Sequence, residues 1–184
     1  MGASELLTEI KRQYNLLSID TKRFAVKAFV LAILFNVAYI LYLGPNRLFD
    51  RPLTSFTAEI TNYLLNHLYK AGFSLKEIHR GALIIYNKKG LLLIGDACNA
   101  FKLYVLYLGF LLCVPGTIAK KLIYFIIGIA LILILNLIRL VALTWLLFNK
   151  PEWTNVAHHY IFTTIVYACI FMLWVSYLKG RKLI

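Results

Sequence analysis

The chain has 184 residues, 61% of them hydrophobic, a formal net charge of +12 and a positive mean hydropathy. So much apolar side chain on so short a chain excludes a soluble domain and places the protein in a membrane. Its basic residues collect where apolar runs end, the pattern that sets membrane orientation, so nucleic acid is not an expected partner.

The expected architecture is an all-α polytopic membrane protein forming a single integral membrane domain over 1–184. About four transmembrane helices are expected, at residues 24–44, 99–115, 122–148 and 160–178, with an outer-face amphipathic helix and a small β-hairpin. Nine basic residues fall on the short segments 1–23, 116–121 and 179–184, against eight spread over the longer 45–97 and 149–157. The positive-inside rule then puts both termini in the cytoplasm and the latter two segments on the outer face of the cell inner (cytoplasmic) membrane. The first span follows more than twenty residues and lacks a small-x-small cleavage site, so it reads as a retained helix.

In chain order, residues 1–23 form a cytoplasmic lead with Leu6, Leu7, Ile10, Tyr14 and Leu17 at helical spacing between basic residues, suited to anionic membrane lipid. In the first span Lys27 can snorkel and Asn36 is expected to bond another helix. Gly44-Pro45 marks a turn. Pro52 opens a helix whose apolar face is Phe56, Ile60, Leu64 and Leu68, ended by Gly72. Residues 82–86 and 91–95 read as strands joined by Asn87-Lys88-Lys89-Gly90, with the glycine in the left-handed position; their edge could pair with an extended peptide.

That hairpin runs into Cys98. Gly95, Asp96 and Asn99 are turn and capping types, and residues 101–114 are nearly all apolar, so the sulfur is expected in the first turn of a membrane helix. Free N–H groups and the helix dipole would there favour thiolate. Cys113 and Cys169 lie within apolar spans and read as packing residues. Three scattered cysteines give neither a disulfide framework nor a metal site, and no cofactor motif is present.

After Pro115-Gly116 and the inner Lys120-Lys121, the longest apolar run contains Arg139, in LILILNLIRLVALTW. Burying an arginine at the centre of an apolar helix costs about 2.5 kcal/mol or more, which implies a function or a partner. Asn136 lies three residues earlier on the same face. Trp145, about 9 Å further along, is expected to mark the outer interface. The outer loop 149–157, with Pro151 and Trp153 at the interface, leads to His158-His159 at the start of the last span. His67 and His79 read as interface or capping residues.

A thiol, a guanidinium and an imidazole at one depth suit acyl transfer. The thiolate attacks a carbonyl, histidine moves protons, and arginine stabilises charge without acting as a base. The order Cys, Asn-x-x-Arg and His on successive helices after a hairpin resembles the exosortase/archaeosortase family over roughly residues 75–178, closest to the short Bacteroidetes-type exosortases of the F subgroup. Cys98-Asn99-Ala100 is similar to that subgroup's form, while the four spans are fewer than in many relatives. The resemblance implies a cysteine transpeptidase or protease with Cys98, Arg139 and either His158 or His159 as its catalytic set, and Asn136 and Asn99 in support. His-x-Tyr-x-Phe favours His158, while Thr163 four residues after His159 suits the broader pattern. The implied partners are secreted proteins ending in a short motif, a transmembrane helix and a basic cluster. The alternative is a non-enzymatic membrane assembly partner or small transporter whose Arg139 meets lipid phosphate or a substrate anion.

Overall fold

A computed structural model describes residues 19–79 and 81–179. In chain order the elements are α1 (Ile19–Asn46), α2 (Asp50–Tyr69), β1 (Ser74–Ile78), β2 (Gly81–Tyr86), β3 (Lys89–Gly95), α3 (Phe101–Cys113), α4 (Ile118–Asn149) and α5 (Pro151–Lys179). Most of the expected lead (1–23) and all but the first residue of the expected tail (179–184) lie outside the described residues.

Among the described residues three helices, α1, α4 and α5, are long and apolar enough to cross a membrane. The expected second span, 99–115, is cut down to α3, whose 13 residues rise only about 20 Å. It stops where Val114 turns extended before Pro115, which cannot continue a helix. The expected loop at 149–157 is largely helical: Lys150 is the only residue between α4 and α5, and Pro151 takes a first-turn position that needs no N–H donor.

α1 runs past its expected end at Gly44. A proline ring inside a helix clashes with the carbonyl one turn back, and Tyr39–Leu43 widens into a π-turn just before Pro45. The break falls instead at Arg47, which is left-handed at φ 50°. Asn36 bonds Ala32 of its own helix at 2.8 Å and not another helix.

α2 buries a different face from the one its apolar repeat suggests. Asp50, Thr54, Thr57, Ala58, Thr61 and Leu65 face inward, while Phe56 and Leu68 are exposed. Leu64 and Leu68 line, with Ile134, Ile138 and Trp145 of α4, an apolar cleft of about 470 Å³. The helix ends at Lys70, left-handed at φ 49°, before reaching Gly72.

The hairpin is present with a third strand: the sheet is antiparallel in the order β1-β2-β3. β1, Ser-Leu-Lys-Glu-Ile, is an edge strand with four of its five residues exposed, so it carries little of the alternation that betrays a strand. The β2–β3 turn places Asn87 and Lys88 at positive φ (50° and 63°), leaving Gly90 within β3. Two consecutive left-handed residues match the strand twist in a two-residue turn.

Two cores divide the molecule. One joins α2, the sheet and the C-terminal half of α4 through Leu65, Phe73, Ile84, Ile94 and Leu140, and includes Cys98. The other joins α3, α4 and α5 through Tyr107, Leu111, Ile132, Val166 and Ile170. Gly128 permits the second: a Cβ there would come within 1.9 Å of the Tyr107 ring. Tyr107 thereby reaches the Tyr124 carbonyl, at 2.7 Å. α1 lies on α3 through the ring pairs Phe24–Phe110 and Phe35–Phe101.

Candidate functional site

Cys98 sits at the junction of the two cores, and it does not lie in the first turn of a helix as expected. It closes a 3-10 turn, Asp96–Cys98, and α3 begins only at Phe101. Ala100, between them, is left-handed at φ 61°, a conformation that costs a residue with a Cβ about 1–2 kcal/mol. The thiol is 8% exposed.

Three polar anchors hold this short segment. Asn136 of α4 donates from Nδ2 to the Cys98 carbonyl at 2.7 Å. Asn99, which is buried, donates to the Asp50 carboxylate at 2.8 Å and to the Thr54 hydroxyl at 3.2 Å, while its Oδ1 accepts the Phe101 N–H at 2.8 Å. Asp96 receives a two-pronged contact from Arg47, Nε to Oδ2 at 2.9 Å and Nη2 to Oδ1 at 2.6 Å, and the Thr54 hydroxyl at 3.1 Å. The hydrogen-bonded carboxylate holds the Arg47 guanidinium above its usual pKa. Arg47 also donates to the His79 carbonyl, and Tyr39 donates to the far oxygen of Asp50 at 3.1 Å.

Arg139 follows Asn136 by three residues, which sets their Cβ atoms about 5–6 Å apart on one side of α4. Its Nη2 lies 3.0 Å from His158 Nδ1 on α5. The same atom is 3.3 Å from His158 Nε2; guanidinium only donates, so whichever ring nitrogen accepts from it carries no proton. The Arg139 Nε is buried without a partner. His158 lies in a π-turn, Ala157–Ile161, a local widening often found at functional sites. His159 is exposed and meets His158 edge to face, with ring centroids 4.8 Å apart. Thr163 donates to the His158 carbonyl at 3.3 Å.

The structure thus brings Arg139 to His158 and Asn136 to the Cys98 main chain, and leaves His159 at the surface. Cys113 is buried as packing, Cys169 is half-buried, and both are free thiols. Among the described residues no group of His, Cys, Asp and Glu is arranged to hold a metal ion.

Sequence reading missed Arg47, Asp50 and Thr54. A signal was available: Asp50, Thr54, Thr57 and Thr61 form a polar stripe at helical spacing, adjoining the apolar repeat on the helix surface. A stripe of that kind ordinarily faces water, and only packing shows that here it faces protein.

The profile of one protein family, described as Transmembrane exosortase (Exosortase_EpsH), matches residues 21–175. Comparison with curated proteins and with solved structures returns no match.

Proposed function

The chain belongs to the transmembrane exosortase family, and from that footing we propose that it is a membrane-embedded cysteine transpeptidase or protease. Its substrates are secreted proteins whose C-terminal sorting tail combines a short motif, a transmembrane helix and a basic cluster. It acts at the outer face of the cytoplasmic membrane, with both termini inside, as the distribution of basic residues favours. The finer relation to the short F-subgroup enzymes rests on the Cys-Asn and His-x-Tyr-x-Phe forms alone.

Cys98 thiolate attacks the scissile carbonyl of the tail, forming the C–S bond; the peptide C–N bond then breaks, leaving a thioester on Cys98. The leaving amine takes a proton from His158. Water or an acceptor amine resolves the thioester and regenerates the thiol. The observation that carries this reading is the Arg139–His158 contact one helical turn from the residue that holds the Cys98 carbonyl. Arg139 can hold the imidazole with Nη2 while its unpartnered Nε–H remains free for the oxyanion, a charge-assisted bond in a site sheltered from water. Since the imidazole lone pair facing Arg139 is occupied, His158 must swing off the guanidinium to take up a proton. Since the thiol is nearly closed off, substrate must open a path to it.

The test is capture of the thioester. A secreted protein with such a tail, co-produced with the enzyme and quenched with acid, should yield a hydroxylamine-sensitive adduct on the peptide bearing Cys98, and Cys98→Ala should abolish both adduct and processing. Normal processing by Cys98→Ala at normal membrane levels would instead support the assembly-partner reading.

A further inference from the structure

We infer that Arg47, Asp50 and Thr54 are positioning residues for the Cys98 thiol, acting through the two residues that flank it. The inference rests on Cys98 being the nucleophile.

Arg47 lies at the α1–α2 junction, and Asp50 and Thr54, four residues apart in the first turns of α2, share one side of that helix. Opposite them stand Asp96 and Asn99, also three apart, with Cys98 between. Arg47 takes Asp96, Asp50 takes Asn99, and Thr54 reaches both. Each flank of the cysteine is therefore tied to the same helix by a charge-assisted bond, across 42 to 49 residues of chain. Such bonds are roughly twice as strong as neutral ones.

The carboxylate of Asp50 makes the inference specific. Asp50 is 2% exposed, yet the side chains hydrogen-bonded to its carboxylate are neutral, the Asn99 amide and the Tyr39 hydroxyl, and the Arg47 guanidinium acts on it only through its field. A buried carboxylate held by neutral donors is costly, and a neutral residue would fill the space at lower cost. What Asp50 supplies is direction. A carboxylate only accepts, so it forces the Asn99 amide to present Nδ2 toward α2 and Oδ1 toward the Phe101 N–H. That fixes the peptide after Cys98 and the left-handed Ala100 beyond it. With Asn136 on the Cys98 carbonyl, the reacting residue is held from both helices and cannot rotate freely. Precise placement of this kind governs rate in acyl transfer, where small displacements are costly.

The experiment uses the full chain in membranes with Cys113→Ala and Cys169→Ala, so that Cys98 is the sole cysteine. The rate of its alkylation by N-ethylmaleimide is the readout, with membrane abundance as the folding control. Asn99→Asp keeps the shape but sets two carboxylates face to face, and Asp50→Ala removes the acceptor. Each should speed labelling about tenfold or more. The exchange Asp50→Asn with Asn99→Asp restores a donor–acceptor pair, and should return the rate to within about twofold of the parent. Thr61→Ala, on the same buried face but bonded only to the Thr57 carbonyl, should leave it unchanged. Equal rates in all variants, or an equal rise in Thr61→Ala, would overturn the inference. So would an exchange variant that accumulates normally but labels like Asn99→Asp. Labelling reports the mount and not the chemistry, so processing that survives Cys98→Ala would remove the nucleophile reading without altering this result.

Discussion

The side-chain amide of Asn136 meets the main-chain carbonyl of Cys98 at 2.7 Å, deep in the seam between the membrane helices and the sheet. It joins α4, which carries Arg139, to the segment that carries the thiol, and both groups are buried. Asn136→Ala leaves that carbonyl without its donor, at a cost of about 1–3 kcal/mol. We expect a lower unfolding midpoint in detergent and faster alkylation of Cys98. Asn136→Asp should be worse than Asn136→Ala, because a carboxylate facing a carbonyl is repelled where the amide was bound.

Exchange of Arg139 for lysine tests whether shape or charge matters. A planar guanidinium can hold His158 with Nη2 and keep Nε–H for a substrate oxygen; a single ammonium cannot do both in the same directions. Processing of a sorting tail should fall by about a hundredfold, the usual scale for loss of an oxyanion donor, at unchanged membrane abundance. Full activity in Arg139→Lys would contradict the role.

The adjacent histidines should separate cleanly. His158→Gln should abolish processing, whereas His159→Gln, with its ring at the surface and its contact only with the neighbouring imidazole, should change the rate by less than about threefold. The reverse ranking would move the proton-transfer role to His159.

Gly128→Ala probes the membrane core away from the chemistry. Its added methyl group would overlap the Tyr107 ring, whose hydroxyl is bonded to the Tyr124 carbonyl. Overpacking of this kind costs about 1–3 kcal/mol, read as a lower thermal midpoint in detergent. Shortening the ring side chain with Tyr107→Leu in the same chain should recover part of the loss, which neither change achieves alone.

Membrane residence, the long helices and the candidate residues of the proposed chemistry were legible in the sequence, because each is a local property. An apolar run declares its length and an arginine within one declares its cost, whereas the histidine pair expected to open the last span lies inside α5, because Pro151 starts that helix earlier. Even so, the second span came out at 13 residues because Pro115 ends it, and a charged edge strand went unseen because its side chains face solvent on both sides. The turn glycine gave way to Asn87 and Lys88 because register, set by pairing along the whole hairpin, decides which residues are left at the bend.

From the sequence alone came the class of protein, its likeness to one family, and a short set of candidate side chains in chain order. Only the tertiary structure decided which of His158 and His159 faces Arg139, that Cys98 precedes its helix, and that Arg47, Asp50 and Thr54 stand behind it. Neighbours in a helix point about 100° apart, so packing alone selects which one meets another helix. The polar stripe on α2 does not name its partners some fifty residues away, because those depend on how α1, α2 and the sheet dock, and no single segment encodes that.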